Sequence, residues 1–187
     1  MGGGRSISEL EAALGPHIPA LRRFARALLR DADAADDLVQ DCLTRAIARW
    51  HLRRDEGALR PWLFTILYNL FASGRRTLNR RGGPTLQVED WDSVMPSVDG
   101  RRLAEEQLTQ RDLLRGLDSL PPEQKAVVLL VGVEDLSYEE AARVTGVPLG
   151  TVMSRLSRGR ERLRRFLEGE AAAPLVEALR KGVANGR

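Results

Sequence analysis

Residues 136–167 read LSYEEAARVTGVPLGTVMSRLSRGRERLRRFL, and no other stretch of the chain limits the possible fold as tightly. Two helical patterns flank a glycine and a proline. Ser137 is a good N-cap, and Glu140, three residues on, is its capping-box partner. Gly146 can take the left-handed conformation that ends a helix, after which Val147-Pro148 restarts the chain. The first helix buries Ala141, Ala142 and Val144, whose small side chains let a second helix cross closely. In the second helix Val152, Leu156, Gly159, Leu163 and Phe166 recur at alternating spacings of four and three, with Leu167 beside the last, which marks one buried stripe. Its outward face carries Thr151, Ser154, Arg155, Arg158 and Arg162, with the small polar residues in the first turn.

This is the layout of a helix-turn-helix. The first turns of a recognition helix approach base edges, and arginine can bridge a guanine or clamp a phosphate. A basic amphipathic helix pair with a solvated charged face would account for the arginines alone. It accounts for neither the turn chemistry nor the order of residues along the polar face.

The rest of the chain fits a helical protein. Its 187 residues suffice for one domain or two small ones, and 43% hydrophobic with 29% charged residues is ordinary for a soluble protein. Aromatics are 5% and no alternating β-branched run occurs, so the fold class is all-α. No apolar stretch reaches the ~18 residues of a membrane span. The N-terminal MGGGRSISELEAAL lacks a signal peptide's apolar core, so a cytoplasmic protein without a membrane partner is expected. The single cysteine, Cys42, excludes an intramolecular disulfide and falls on an apolar helix side with Leu38, Val39 and Ala46 or Ile47, as a buried structural thiol would. His17 and His51 have no cysteine or second histidine near them, so no metal site is expected. Without a Walker loop, paired catalytic carboxylates or a nucleophile constellation, neither an enzyme nor a cofactor is expected.

The net charge of +3 conceals an asymmetry. Arginines concentrate at 75–81 and 155–165, whereas GGPTLQVEDWDSVMPSVDG at 82–100 holds Glu89, Asp90, Asp92 and Asp99 and no basic residue. Glycine, proline and acid without helical period make it a flexible acidic linker between two helical halves. Helices are expected at about 8–29, 33–50 and 58–80 before it, with Asp31 and Asp33 capping the second and Pro61 in the first turn of the third. After it they are expected at about 101–117, 122–133, 137–145 and 149–167, and a short one around 174–181 in the tail.

Two further patches stand out. In the second helix Ala35, Leu38, Val39, Cys42, Leu43, Ala46 and Trp50 form the core stripe, and Asp37, Gln40 and Asp41 lie off it as an acidic, hydrogen-bonding patch. Complementing the helix dipole explains the aspartates near the N-terminus, but not Asp41 further in. The third helix buries Trp62, Leu63, Ile66, Leu67 and Leu70 and turns basic after Ser73. Arg75, Arg76, Arg80 and Arg81 following an apolar, aromatic stretch suit a nucleic-acid backbone with an unstacked base. A helix end in which arginine complements the dipole is the alternative.

Together, ADDLVQDCLTRA at 35–46, PWLFTILYNLFASGRR at 61–76, LDSLPPEQKAVVLLVGVEDLSYEEAARVTGVPLGTVMSRLSRGRERLRR at 117–165 and the acidic linker resemble bacterial sigma factors of the extracytoplasmic-function group. The resemblance implies two small helical domains: sigma region 2 at 1–81 and sigma region 4 with its helix-turn-helix at 101–168. The linker at 82–100 joins them and a tail occupies 169–187. It implies a non-enzymatic subunit that binds core RNA polymerase, directs it to two-part promoters and promotes melting. By position, Asp37, Gln40 and Asp41 would dock on the β′ clamp helices. Asn69, Ser73, Arg75, Arg76 and Arg80 would engage the minus-ten element, and Thr151, Ser154, Arg155 and Arg158 the minus-thirty-five element. Region 4 would also rest on the β flap, and an anti-sigma factor is an expected partner. Ser73 stands where many members have aspartate, and Met153 where many have lysine. Two other classes are weighed against this reading: a repressor using only the helix-turn-helix, for which residues before 100 offer no ligand or receiver domain, and a sigma-like decoy that sequesters an anti-sigma protein.

Overall fold

The computed structural model describes residues 7–52, 59–80 and 112–184, and all regular structure among them is helical. The elements are α1 (Ile7–Leu14), α2 (Ile18–Leu29), α3 (Ala32–Ala48) and α4 (Leu59–Arg80), then α5 at 112–118, α6 (Pro122–Gly132), α7 (Tyr138–Thr145) and α8 (Leu149–Ala184). Short 3-10 turns occupy Gly15–His17 and Trp50–Leu52. The acidic stretch at 82–100 and most of the expected helix at 101–117 lie outside the described residues.

The single helix expected over 8–29 is two helices. Pro16 has no N–H to continue the α-helical ladder, and beside Gly15 the backbone tightens into a 3-10 turn before α2 begins. α2 ends on Arg30, which adopts a left-handed conformation at φ 61° while its N–H donates to the Arg26 carbonyl. Asp31 follows at once as the N-cap of α3, its carboxylate accepting from the Ala34 N–H at 2.9 Å. Asp33 sits in the first turn, where its charge favours the helix dipole.

The first core lies among α2, α3 and α4. Leu21, Phe24 and Ala25 meet Ala35, Val39, Cys42 and Ala46, and Leu63, Phe64 and Leu67 close it, all at 2% exposure or less. Small residues on α3 let its neighbours approach closely, and the two rings fill what remains. Phe24 and Phe64 pack edge to face with centroids 5.2 Å apart, as the ring quadrupoles favour. Cys42 is fully buried, its thiol facing the Leu63 carbonyl at 3.5 Å, and burial pushes its pKa up to about 12.

α4 is buried on more sides than its expected stripe. Phe64, Tyr68 and Phe71 are buried along with Leu63, Ile66 and Leu67, while Trp62 and Leu70 are only half-buried. The reason is that α4 packs against α7 as well as α2 and α3, so one apolar stripe does not suffice.

Among the described residues the backbone forms two compact units: α1–α4 with residues 129–152, and residues 112–128 with 153–184. Two glycines set the packing of the second. A Cβ at Gly159 would lie 2.7 Å from Val128 Cγ2, and one at Gly116 would lie 2.6 Å from Leu163 Cδ1. Lys125 and Asp118 form a buried ion pair there at 2.7 Å. α8 does not stop near 167 to give a separate helix at 174–181 but runs unbroken to Ala184. The helix formers of Glu170-Ala171-Ala172-Ala173 carry it onward, and Pro174 removes one backbone donor without ending it.

Candidate nucleic-acid interface

The helix-turn-helix is built as its residues require. Ser137 caps α7 in extended backbone, its hydroxyl accepting from the Glu140 N–H at 3.1 Å while the Glu140 carboxylate accepts from the Ser137 N–H at 2.8 Å. Gly146 ends α7 at φ 67°, donating to the Ala142 carbonyl at 2.9 Å, and Thr151 and Val152 return bonds to the Pro148 carbonyl. A side chain at 146 would have to hold this left-handed conformation, so the turn depends on glycine. Ala141 and Val144 are buried as expected, and Ala142 only partly.

On α8, Val152, Leu156 and Gly159 are buried, and Leu163, Phe166 and Leu167 are half-buried. Thr151, Ser154 and Arg155 are half-exposed and Arg158 is exposed, all turned away from that stripe. Arg158 donates to the Ser154 hydroxyl at 3.1 Å and to the Ser154 carbonyl at 3.2 Å, which lays the guanidinium along the polar face. Further along, Arg164 and Arg165 donate to Glu161 and hold its carboxyl below the usual carboxylate range. Those two arginines therefore balance a charge within their own helix, unlike the pattern on the first two turns. Leu149 and Met153 are exposed at 37% and 46% and add an apolar edge beside the hydroxyls.

The candidates on α4 divide. Asn69, Ser73, Arg76 and Arg80 follow one another at spacings of four, three and four, which puts them on one face. Asn69, Ser73 and Arg76 are exposed, and Arg76 donates to the Ser73 hydroxyl at 3.0 Å. The side chain of Arg80 is outside the described residues. Arg75 lies off this face, half-exposed, its guanidinium 5.7 Å from the centre of the Phe71 ring. On α3 the candidates Asp37, Gln40 and Asp41 are all exposed, opposite the buried Ala35, Val39, Cys42 and Ala46.

The family model for sigma-70 region 4 matches residues 110–163, and that for the sigma2 domain of PhyR matches residues 14–68. The ECF RNA polymerase sigma factor EcfG of Rhodopseudomonas palustris is 38% identical over 83% of this chain and 83% of its own length. The ECF sigma factor SigE of Mycolicibacterium smegmatis is 37% identical over 81% of this chain, which spans 58% of that longer protein. The chain belongs to the extracytoplasmic-function sigma factors. The fold agrees: the sigma factor RpoE of Bartonella quintana, solved in complex with the anti-sigma factor NepR, superposes with a TM-score of 0.73 at 34% identity, covering 87% of this chain and 98% of that one. Directing RNA polymerase to promoters is accordingly the function of this sigma factor.

One prominent group in this sigma factor escapes sequence reasoning. Glu134, in the turn before α7, is 1% exposed. Arg23 of α2 grips its carboxylate with both ends of the fork, Nε to Oε1 and Nη2 to Oε2, each at 2.9 Å. Arg60 of α4 donates to Oε2 at 2.8 Å and to the Glu134 carbonyl at 2.9 Å, while its guanidinium lies 5.6 Å from the Phe64 ring centre. A buried carboxylate needs such compensation. The signal available in the sequence is an acid pair, Glu134-Asp135, directly after the apolar run of α6. Nothing local names its partners, which lie 111 and 74 residues away.

Proposed function

We propose that this sigma factor docks on core polymerase through Asp37, Gln40 and Asp41, opens and holds the minus-ten element with α4, and reads the minus-thirty-five element with the first turns of α8. Residues 1–81 act as region 2, 82–100 as the linker, 101–168 as region 4 and 169–187 as a tail. The acidic α3 face suits a basic surface such as a clamp-helix pair, since complementary charge steers and orients docking. Asn69, Ser73, Arg76 and Arg80 grip the displaced strand, with Arg75 beside them on Phe71. Unstacking a base costs a few kcal/mol, which contacts to the captured strand offset without a cofactor. The polymerase performs the chemistry, in the cytoplasm, with region 4 resting on the β flap.

The observation that carries this reading is the recognition face: hydroxyls and arginines at 151, 154, 155 and 158 on a helix whose opposite side is buried. Arg155→Ala and Arg158→Ala test it. Each is expected to reduce promoter discrimination by about 1–3 kcal/mol where the lost contact is bidentate to a base, and to weaken all sequences alike where it is to phosphate. Binding across a set of upstream-element mutants separates the two patterns. Wild-type affinity and salt dependence in both variants would remove the face from the interface.

An anti-sigma factor is a partner on this reading, because the Bartonella sigma factor is held by one. The N-terminal match to the sigma2 domain of PhyR favours one second reading, a sigma-like protein that captures an anti-sigma factor without directing transcription. Such a protein would bind the anti-sigma factor yet leave core polymerase inactive on every promoter.

A further inference from the structure

The first turns of α8 present two parallel rows of side chains. Gly150, Ser154 and Arg158 are four apart and form one row, and Leu149, Met153 and Ser157 form the other beside it. The bonds from Arg158 to the Ser154 hydroxyl and carbonyl keep its guanidinium on the first row. The second row begins with two large apolar side chains, exposed at 37% and 46%, outside the buried stripe of Val152, Leu156 and Gly159. A single exposed apolar side chain is ordinary on a protein surface. Two on adjoining turns, beside the hydroxyls and arginines of the recognition face, are not scattered. Packing within the described residues does not call for glycine at 150 either, where a Cβ would meet nothing within 4 Å. The low first turn lets a flat surface approach closely, with Met153 as the side chain that reaches it.

Base-pair edges in the major groove differ in what they ask of such a side chain. Thymine presents its 5-methyl group, cytosine an amino donor, and adenine and guanine N7 with a further polar group. A methionine side chain donates no hydrogen bond and its sulfur accepts only weakly. Against a methyl group it excludes water at no polar cost, and its rotatable bonds let it follow the methyl without strain. Against an amino or carbonyl group it leaves that group desolvated and unpaired. A lysine at 153 would seek phosphate instead, a contact that carries no sequence information.

We propose that Met153, with Leu149 one turn before it, reads the 5-methyl group of a thymine in the upstream promoter element. The proposal rests on the assignment of the α8 face to that element. One base preference is then apolar in origin, so it persists at high salt while the arginine contacts weaken.

The test uses the full-length protein bound to core polymerase. Its probe is a duplex promoter of the sequence most enriched from a randomised upstream library, with each thymine of either strand replaced singly by deoxyuridine. That change deletes one methyl group and keeps the base pairing. With the parent protein, at least one replacement should weaken binding about fourfold, the equivalent of ~0.8 kcal/mol for one methyl group left in water. Met153→Ala should bind the unmodified and the deoxyuridine probe alike, as weakly as the parent binds the latter. Met153→Lys should also bind the two alike, whatever it gains from phosphate. Both substitutions fall at an exposed position, and circular dichroism verifies that helicity is kept. Deoxyuridine without effect at every thymine, or with the same effect in both variants as in the parent, overturns the role of Met153. Arg155→Ala and Arg158→Ala on the same probes separate that failure from one beneath it. If they weaken binding while deoxyuridine is silent, the α8 face still reads DNA and only the methyl contact is refuted. If neither arginine variant nor Met153→Lys changes binding, the face lies away from the element and both assignments fall.

Discussion

Phe64→Ala is expected to destabilise the first helical unit by about 3–5 kcal/mol, the range for truncating a large buried ring. The side chain is 1% exposed, packs edge to face on Phe24 at 5.2 Å and carries Arg60 over its other surface at 5.6 Å. Truncation forfeits the transfer of the ring from water, the edge-to-face contact and the support under Arg60. Against total stabilities of about 5–15 kcal/mol for a domain, such a loss leaves the α3 acidic face without a secure scaffold. Urea denaturation followed by far-ultraviolet circular dichroism measures it. Ile47→Ala, at a residue 49% exposed, is the control and should cost well under 1 kcal/mol. A loss below about 1 kcal/mol for Phe64→Ala would show that the site relaxes, and that this ring does not hold α2, α3 and α4 together.

The paired substitution Arg76→Ala with Arg80→Ala is expected to separate promoter binding from promoter opening. Arg76 shares a face with Asn69 and Ser73, and Arg80 continues it in register. Losing both guanidiniums should cost the melted complex about 1–3 kcal/mol after allowance for solvent screening, or roughly five- to 150-fold in its population. Polymerase binding and upstream contacts, which we assign to α3 and α8, should change little. Permanganate reactivity of unpaired thymines reports the melted state, and transcription is compared on linear promoter and on a template mismatched across the minus-ten segment. The mismatched template should recover much of the lost transcription, because the unpairing cost has been removed in advance. Equal loss on both templates would place the defect in strand capture, and no loss on either would make the cluster a solvated helix end.

What the sequence discloses and what it conceals divide along a physical line. The turn around Gly146 is written in neighbouring residues: the Ser137–Glu140 box, the left-handed glycine and Pro148 act within a few positions of one another. The α8 stripe and the exposed α3 patch follow from one helix period each. The wider burial on α4 is different, because Phe64, Tyr68 and Phe71 are buried only if something covers them, and α4 packs on α7, nearly seventy positions on, as well as on α2 and α3. Glu134 is concealed for the same reason. Along the chain its surroundings read as a polar turn, and its burial is intelligible only with Arg23 and Arg60 against it. The break at Gly15-Pro16 was legible in composition, yet the apolar period runs through it. The run of α8 past Pro174 shows the converse, a local breaker overridden by the helix formers before it.

The central claim, that this chain gives RNA polymerase its choice of promoter, is tested most directly by run-off transcription. Core polymerase is supplied with and without the protein on a library randomised across the upstream and minus-ten segments, and the transcribed templates are sequenced. Transcripts are expected only when the protein is present, with enrichment of two separate sequence blocks, the upstream block losing its enrichment in Arg155→Ala or Arg158→Ala. Transcription that does not depend on the protein, or no transcription from any template while an anti-sigma factor still binds, would contradict the claim.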